Sequence, residues 1–144
     1  MHYLKIYKTE LVREGSLKYE ENSITGPKIA AEILQDYLRG VDREHFVVLM
    51  LNAKNKVIGI NTVSVGTIDA SLVHPRETFK AAILCNASRI ILGHNHPSGD
   101  PYPSKEDKMI TERLKEAGKI LGIQVLDHIV IGDKKYFSFE EDLL

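Results

Sequence analysis

Two histidines and one aspartate in the second half of the chain have the types and spacing of a metal site. His94 and His96 are two residues apart, so in extended backbone both imidazoles project from the same side. Zinc binds imidazole nitrogens at about 2.0–2.1 Å and needs a third protein ligand if one position is kept for water. Asp107 can supply that ligand from the first turn of a predicted helix, where a carboxylate is also favoured. The sequence therefore predicts a zinc site made by His94, His96 and Asp107.

Each of these residues also has an ordinary structural interpretation. A single histidine is more often a packed or surface side chain than a ligand. Ser104 and Asp107 have the spacing of an N-cap pair, in which a serine and an acid three residues later stabilise a helix start. Capping explains the serine and the aspartate without a metal, but it leaves unexplained why two histidines precede them at this distance.

The complete spacing is similar to that of a known family. His94, one residue, His96, seven residues, Ser104, two residues and Asp107 resembles the metal signature of the JAMM motif in JAB/MPN domains. The run from His94 to Ser104 resembles the RadC branch in particular, and the similarity extends over about residues 24–144. Three flanking segments share it: Arg43-Glu44-His45-Phe46, Leu72-Val73-His74-Pro75-Arg76-Glu77 and Leu126-Asp127-His128. The resemblance implies a JAB/MPN (cytidine-deaminase-like) architecture with bound Zn2+.

A hydrolase of this type also needs a base that takes a proton from water. From the residues alone, six carboxylates are eligible: Glu32, Glu44, Asp69, Glu77, Asp100 and Asp127. The charged stretch around Glu44 favours the interpretation that this residue is a solvated acid. The resemblance selects Glu44, because JAMM proteins place their catalytic glutamate just before an apolar strand of this kind. It also implies that Ser104 donates a hydrogen bond to the oxyanion, in a zinc metallohydrolase with peptidase or isopeptidase chemistry.

The pattern of the chain predicts a mixed α/β fold in which a curved mixed sheet is flanked by helices. Thr25-Gly26-Pro27 opens a helix that ends before Gly40, and Pro75 opens a second that runs to about Cys85. Ser104 heads a third helix. Strands are predicted at 46–51, 57–65 and 89–93, and a closing hairpin at 123–131 and 136–139, with a proline- and glycine-rich loop over 94–103.

We expect one domain over residues 1–144, because 144 residues are typical of a single domain and no linker-like segment is present. Residues 1–23 are expected to form an N-terminal β-hairpin extension around Glu14-Gly15. The single cysteine, Cys85, lies in an apolar helical run and is expected to be a small core residue.

The charge balance argues against nucleic acid as the main partner. Nineteen basic and twenty acidic residues give a net charge of −1, whereas nucleic-acid binders usually carry a basic excess. RadC proteins usually have a helix-hairpin-helix segment ahead of this domain, and this sequence offers no match to it. No apolar run reaches membrane-spanning length, and charged residues occupy the N-terminus where a signal peptide would be apolar. We therefore expect a cytoplasmic protein.

Three functions from different classes follow from these observations. The first is the zinc-dependent hydrolase, whose substrate would be a peptide or an isopeptide. The second is a repair-associated, metal-dependent enzyme that acts on nucleic acid. The third is a non-catalytic interaction module that the metal stabilises.

Three further histidines are expected to be structural or solvent-facing: His45, His74 and His128.

Overall fold

The computed structural model describes residues 1–19 and 23–142. Five helices and five strands are found there: α1 (Pro27–Tyr37), β1 (His45–Leu51), β2 (Val57–Val65), α2 (Pro75–Thr78), α3 (Lys80–Leu84), β3 (Arg89–Asn95), α4 (Lys105–Leu121), β4 (Gln124–Ile131), β5 (Tyr136–Ser138) and α5 (Phe139–Asp142). The strands form one sheet in the order β2-β1-β3-β4-β5. The predicted mixed α/β class, a mixed sheet flanked by helices, is confirmed.

Neighbouring strands of the sheet are antiparallel except for β3 and β4, which run parallel. A parallel pair needs a long crossover connection, because the chain must return to the same end of the sheet before the second strand starts. Helix α4 is that crossover. It begins at the end of the sheet where β3 finishes, so its first turn lies beside the last residues of β3.

One face of the sheet packs against α3 and α4. Alternate residues of β1 and β3 point to this face, among them Phe46 and Leu92, and they meet Phe79 and Leu114 from the helical layer. All four side chains are almost completely buried. His94 follows Leu92 by two residues, so the strand periodicity directs its imidazole to the same face, towards the start of α4.

The opposite face packs against α1. Helix α1 begins with Pro27 after the cap residue Gly26, and its apolar side chains meet the other alternate residues of β1 and β3. Leu34 lies so close to Gly93 that a Cβ on this glycine would come within 2.7–2.8 Å of the leucine methyl groups. A glycine at this position therefore lets α1 sit directly behind the strand that carries His94.

The N-terminal hairpin predicted for residues 1–23 is wrong for the described residues, since 1–19 contain no strand. Ser23 makes only an isolated bridge with Lys56, and residues 20–22 lie outside the described part. Apolar side chains near the start, such as Leu4 (92% exposed) and Ile6 (97% exposed), bury almost nothing. A two-stranded hairpin without a covered apolar face is marginal in water, so local strand preference alone does not form one.

Two further boundaries differ from the prediction. The second helix is divided at Phe79, a turn residue between α2 and α3 whose backbone stays in the right-handed helical region (φ −91°, ψ −5°) while its ring is buried in the core. Strand β3 continues through His94 and Asn95, which were expected in the loop, because their backbone pairs with Val130 and Ile131 of β4. The closing hairpin of β4 and β5 is confirmed. Among the described residues, no helix has the length and apolar character that crossing a membrane requires.

Candidate metal centre

Three side chains converge on one point at the end of β3: His94 from the strand, His96 from the loop that follows it, and Asp107 from the first turn of α4. The Nε2 atoms of His94 and His96 are 3.0 Å apart. The Oδ2 atom of Asp107 lies 3.1 Å from Nε2 of His96 and 3.4 Å from Nε2 of His94. Ligands held tetrahedrally at the zinc distances of about 2.0–2.1 Å are separated from each other by about 3.3 Å. The triangle formed by these atoms therefore has the size that a zinc ion requires.

The protonation of these groups also fits a cation. Nδ1 of His96 is 2.8 Å from the backbone oxygen of Asp100, and a carbonyl oxygen only accepts, so Nδ1 carries the hydrogen. In neutral His96 the Nε2 lone pair then faces the Asp107 carboxylate, and the two repel unless a proton or a metal ion lies between them. The hydrogen bond with Asp107 raises the pKa of His96, which is the response expected of a base beside an anion.

Asp107 is held in place as both a capping residue and a member of the triangle. Its Oδ2 accepts a hydrogen bond from the backbone N–H of Ser104 (2.8 Å), and Oγ of Ser104 accepts one from its N–H (3.0 Å). Burial alone would raise the pKa of Asp107, but the two imidazoles beside it, of His94 and His96, and the N–H of Ser104 outweigh burial and lower that pKa far below the usual range. The capping interpretation is confirmed, and the same carboxylate also meets both histidines.

A third histidine, His128, contacts the ring nitrogen of His94 that does not belong to the triangle. His128 lies in β4 and is fully buried, with Nε2 2.7 Å from Nδ1 of His94 and Nδ1 2.5 Å from Oγ1 of Thr111. Burial lowers the pKa of His128 well below the ordinary histidine value, so the ring is neutral. His128 is thus a structural histidine, which is one of the two roles that its sequence context predicted. Its partner His94 was not predictable, because β4 is distant in sequence and only the parallel pairing of β3 with β4 brings the two rings together.

Glu44 reaches the same cluster from the start of β1. One of its carboxylate oxygens lies within 4.8 Å of a ring nitrogen of His94 and of His96. Its Oε2 accepts a hydrogen bond from the backbone N–H of Ile68 (3.4 Å), and the side chain is half-buried. Among the six carboxylates that the sequence left open, Glu44 is the one found with the histidine pair in the described residues.

Asn95, between the two histidines, links the metal-site strand to the segment that carries Glu44. Its Oδ1 accepts a hydrogen bond from the backbone N–H of His45 (2.8 Å), and its Nδ2 donates one to the backbone oxygen of Arg43 (3.0 Å). The residues on both sides of Glu44 are thus bound by one amide side chain. Sequence reasoning missed this residue, although its place in the His-Asn-His run was a signal.

Other predicted residues are placed as follows. Ser104 is exposed beside the triangle; its hydroxyl oxygen is an acceptor in the capping box, so its hydrogen is left for another partner. His74 caps α2 by accepting from the N–H of Arg76, as its position before Pro75 indicated. His45 turns towards the backbone oxygen of Arg43.

Fold and site together define a class of protein: a JAB-type α/β domain with a histidine–carboxylate cluster that can hold a metal. The family model described as "RadC-like JAB domain" matches residues 24–144, and the chain belongs to that family. The resemblance inferred from the motif is therefore confirmed.

Relatives named UPF0758 proteins are found in several bacteria. The chain is 55% identical over 126 residues to a UPF0758 protein of Caldanaerobacter subterraneus subsp. tengcongensis, which covers 88% of this chain and 54% of the relative. It is 56% identical over 118 residues to one of Moorella thermoacetica (82% and 52%) and 54% identical over 123 residues to one of Staphylococcus haemolyticus (85% and 54%). The chain thus spans about half the length of the curated relatives it matches.

Proposed function

We propose that this domain is a zinc-dependent hydrolase that cleaves an amide or isopeptide bond in a peptide substrate. The observation that carries the proposal is the triangle of His94 Nε2, His96 Nε2 and Asp107 Oδ2, with sides of 3.0, 3.1 and 3.4 Å, beside the carboxylate of Glu44. A zinc ion bound there would polarise a carbonyl group and make water acidic enough to attack near neutral pH. Three protein ligands would leave one coordination position for that chemistry.

Glu44 is assigned the role of general base and acid. One of its carboxylate oxygens lies within 4.8 Å of a ring nitrogen of each histidine, a distance that one water molecule can bridge. Glu44 can therefore take a proton from an attacking water and return it to the leaving amine. Residues beside it, Asp42, Arg43, Gly66, Thr67 and Pro97, line an open depression, which gives an extended substrate access to the carboxylate.

Ser104 is assigned the stabilisation of the oxyanion. Its hydroxyl oxygen is fixed by the N–H of Asp107, while the hydroxyl hydrogen can turn to a partner outside the helix. A carbonyl oxygen that gains negative charge beside the triangle is such a partner. Removal of one donor of this kind typically lowers kcat by about 10²–10³.

The choice between Asp107 and Glu44 as the third ligand is part of the proposal. Asp107 is favoured because its oxygen is already at hydrogen-bond distance from His96, has a side-chain exposure of only 5% and is oriented by the capping box. Glu44 is more exposed and contacts Ile68 instead. A ligand needs a fixed orientation, whereas a base that moves a proton needs access to substrate.

The test compares Glu44→Gln with the unmutated chain in two measurements: bound zinc by elemental analysis, and cleavage of a peptide library that includes isopeptide-linked lysines. We expect Glu44→Gln to bind zinc normally and to lose cleavage. Glu32→Gln, a change on the exposed side of α1, is the matched control and should retain both.

Two results would overturn parts of the proposal. Loss of zinc from the folded Glu44→Gln protein would make Glu44 a ligand rather than the base. Cleavage of single- or double-stranded DNA by the zinc-loaded chain, with no cleavage in the peptide library, would assign the site to nucleic acid.

A further inference from the structure

A series of buried hydrogen bonds runs from the backbone of Asp107, in the first turn of α4, by way of β4 to Nδ1 of His94 in β3. It passes through Thr111 in α4 and His128 in β4, neither of which belongs to the histidine–carboxylate triangle. Thr111 and His128 both have 0% exposure. Every hydrogen along this chain can be assigned from the chemistry of its partners, starting from the end where the donor is certain.

The assignment starts at the backbone oxygen of Asp107, which can only accept. Thr111 Oγ1 is 2.7 Å from it and therefore donates its single hydroxyl hydrogen there. Toward His128 Nδ1, at 2.5 Å, the same oxygen can then only accept. Nδ1 of His128 must carry a hydrogen.

The second half of the chain follows from the first. His128 is completely buried and neither of its side-chain hydrogen-bond partners is a carboxylate, so its imidazole is uncharged and has one N–H. Its Nε2 is then a lone pair and accepts from Nδ1 of His94 at 2.7 Å. His94 therefore holds its hydrogen on Nδ1, and its Nε2 lone pair points into the triangle. The opposite tautomer would direct an N–H at the place where a cation has to bind.

We propose that Thr111 and His128 are positioning residues that fix the tautomer of His94 and so prepare Nε2 for metal binding. The proposal rests on the metal centre described under the proposed function. It explains why a buried β4 position carries a histidine among apolar neighbours: the ring is stacked on Phe139 (4.7 Å, 12°) and meets the edge of Phe46 (5.5 Å), so it cannot rotate away. The ring nitrogen that a metal binds is in general selected by the hydrogen bond made by the other nitrogen.

The experiment measures zinc affinity by competition with a chromophoric chelator, and it needs no substrate. Thr111→Val removes the hydroxyl and keeps the shape, so His128 Nδ1 loses its acceptor. His128→Gln retains an acceptor near the position of Nε2, whereas His128→Phe removes it. We expect Thr111→Val and His128→Phe to weaken zinc binding by about 10- to 100-fold, and His128→Gln to recover part of that loss.

A matched control is available in Thr78. This threonine is also fully buried, and its hydroxyl has no hydrogen-bond partner among the described residues. Thr78→Val makes the same chemical change at a buried position of α2, away from the hydrogen bonds that join Asp107, Thr111, His128 and His94, and it should leave zinc affinity unchanged.

A second measurement uses the unmutated chain and does not depend on a variant that folds. Nitrogen-15 chemical shifts of the imidazoles distinguish the two tautomers, and we expect His94 and His128 both to carry their hydrogen on Nδ1. Two results would overturn the positioning role of Thr111 and His128 while leaving the metal centre intact. One is a hydrogen on Nε2 of His94 in the metal-free protein, and the other is wild-type zinc affinity in folded Thr111→Val. Failure of the unmutated chain to bind zinc would overturn both.

Discussion

The side-chain amide of Asn95 holds the backbone on both sides of Glu44. It accepts from the N–H of His45 and donates to the oxygen of Arg43, at 2.8 and 3.0 Å. Because Asn95 lies between His94 and His96, the candidate base and two candidate ligands are tied to one another through a single side chain. The position of Glu44 relative to the two histidines is therefore built into the pairing of β1 with β3.

Replacement of Asn95 by alanine should separate metal binding from catalysis. No ligand is changed, so Asn95→Ala should retain zinc, but two backbone groups lose their partner and the protein should lose about 1–3 kcal/mol of unfolding free energy. The rate of peptide cleavage should also fall, and by more than the loss of folded protein accounts for, because Glu44 is no longer held. Denaturant unfolding, zinc analysis and cleavage rates check these three expectations.

Asn52 provides the control for this variant. Its side chain also accepts from two backbone N–H groups, those of Lys54 and Lys56, in a turn outside the cluster. Asn52→Ala should lose stability and keep its cleavage rate. A wild-type cleavage rate in Asn95→Ala would show that the hydrogen bonds of Asn95 to His45 and Arg43 do not position Glu44.

Zinc should stabilise the folded chain, and the effect should require His96. A ligand that binds only the native state adds RT ln(1 + [L]/Kd), or about 2.7 kcal/mol at a hundred times Kd. Calorimetric melting with and without a chelator should show a higher Tm in the presence of zinc. In His96→Ala the shift should largely disappear, whereas His2→Ala, at an exposed position, should behave as the unmutated chain does. An unchanged shift in His96→Ala would place the bound zinc elsewhere.

Gly132 should be needed to hold the loop that follows the two histidines. A Cβ on Gly132 would overlap the backbone oxygen of Gly99 and would lie 2.7 Å from Cδ of Pro101. Gly132→Ala must push this loop away, which should cost about 1–3 kcal/mol and weaken zinc binding because Asp100 then no longer orients His96. Gly15→Ala, with open space around its Cβ, is the control, and denaturant unfolding with zinc titration is the measurement. Equal zinc affinity in the two variants would contradict the expectation.

Asp127 should make the stability of the chain depend on pH. Burial raises the pKa of Asp127 even though Ser138 and the N–H groups of Glu140 and His128 donate to it. The folded state therefore holds this proton more tightly than the unfolded state does. As pH rises from the unfolded to the folded pKa, the folded state binds more protons and the unfolding free energy falls; below both values the contribution is fully present.

The variant that reports this effect is Asp127→Asn, which cannot ionise and keeps an oxygen for the two backbone donors. The difference in unfolding free energy between the unmutated chain and this variant should decrease as pH rises above the ordinary aspartate range. Urea unfolding at a series of pH values measures it. A difference that grows with pH would mean that the folded state favours the carboxylate of Asp127.

Much of the candidate site was predictable from the order of residues. The spacing of His94, His96, Ser104 and Asp107 is local, and it identified both the family and the proposed ligands, because a strand end, a short loop and a helix start have little freedom to place these groups differently. The two strands of β1 and β2 and the start of α4 were predicted for the same reason. Local strand preference failed at residues 3–19, where no apolar face is covered.

The tertiary structure decided what lies around those ligands. Glu44 approaches the histidines only because β1 pairs with β3, and His128 meets His94 only because β3 and β4 run parallel across the α4 crossover. Asn95 acts on Glu44 from 51 positions further along the chain, through hydrogen bonds that no local pattern encodes. The sequence determined which side chains can bind a metal. Packing determined which carboxylate lies beside them and which hydrogen-bond partner His94 has, since both depend on residues distant along the chain.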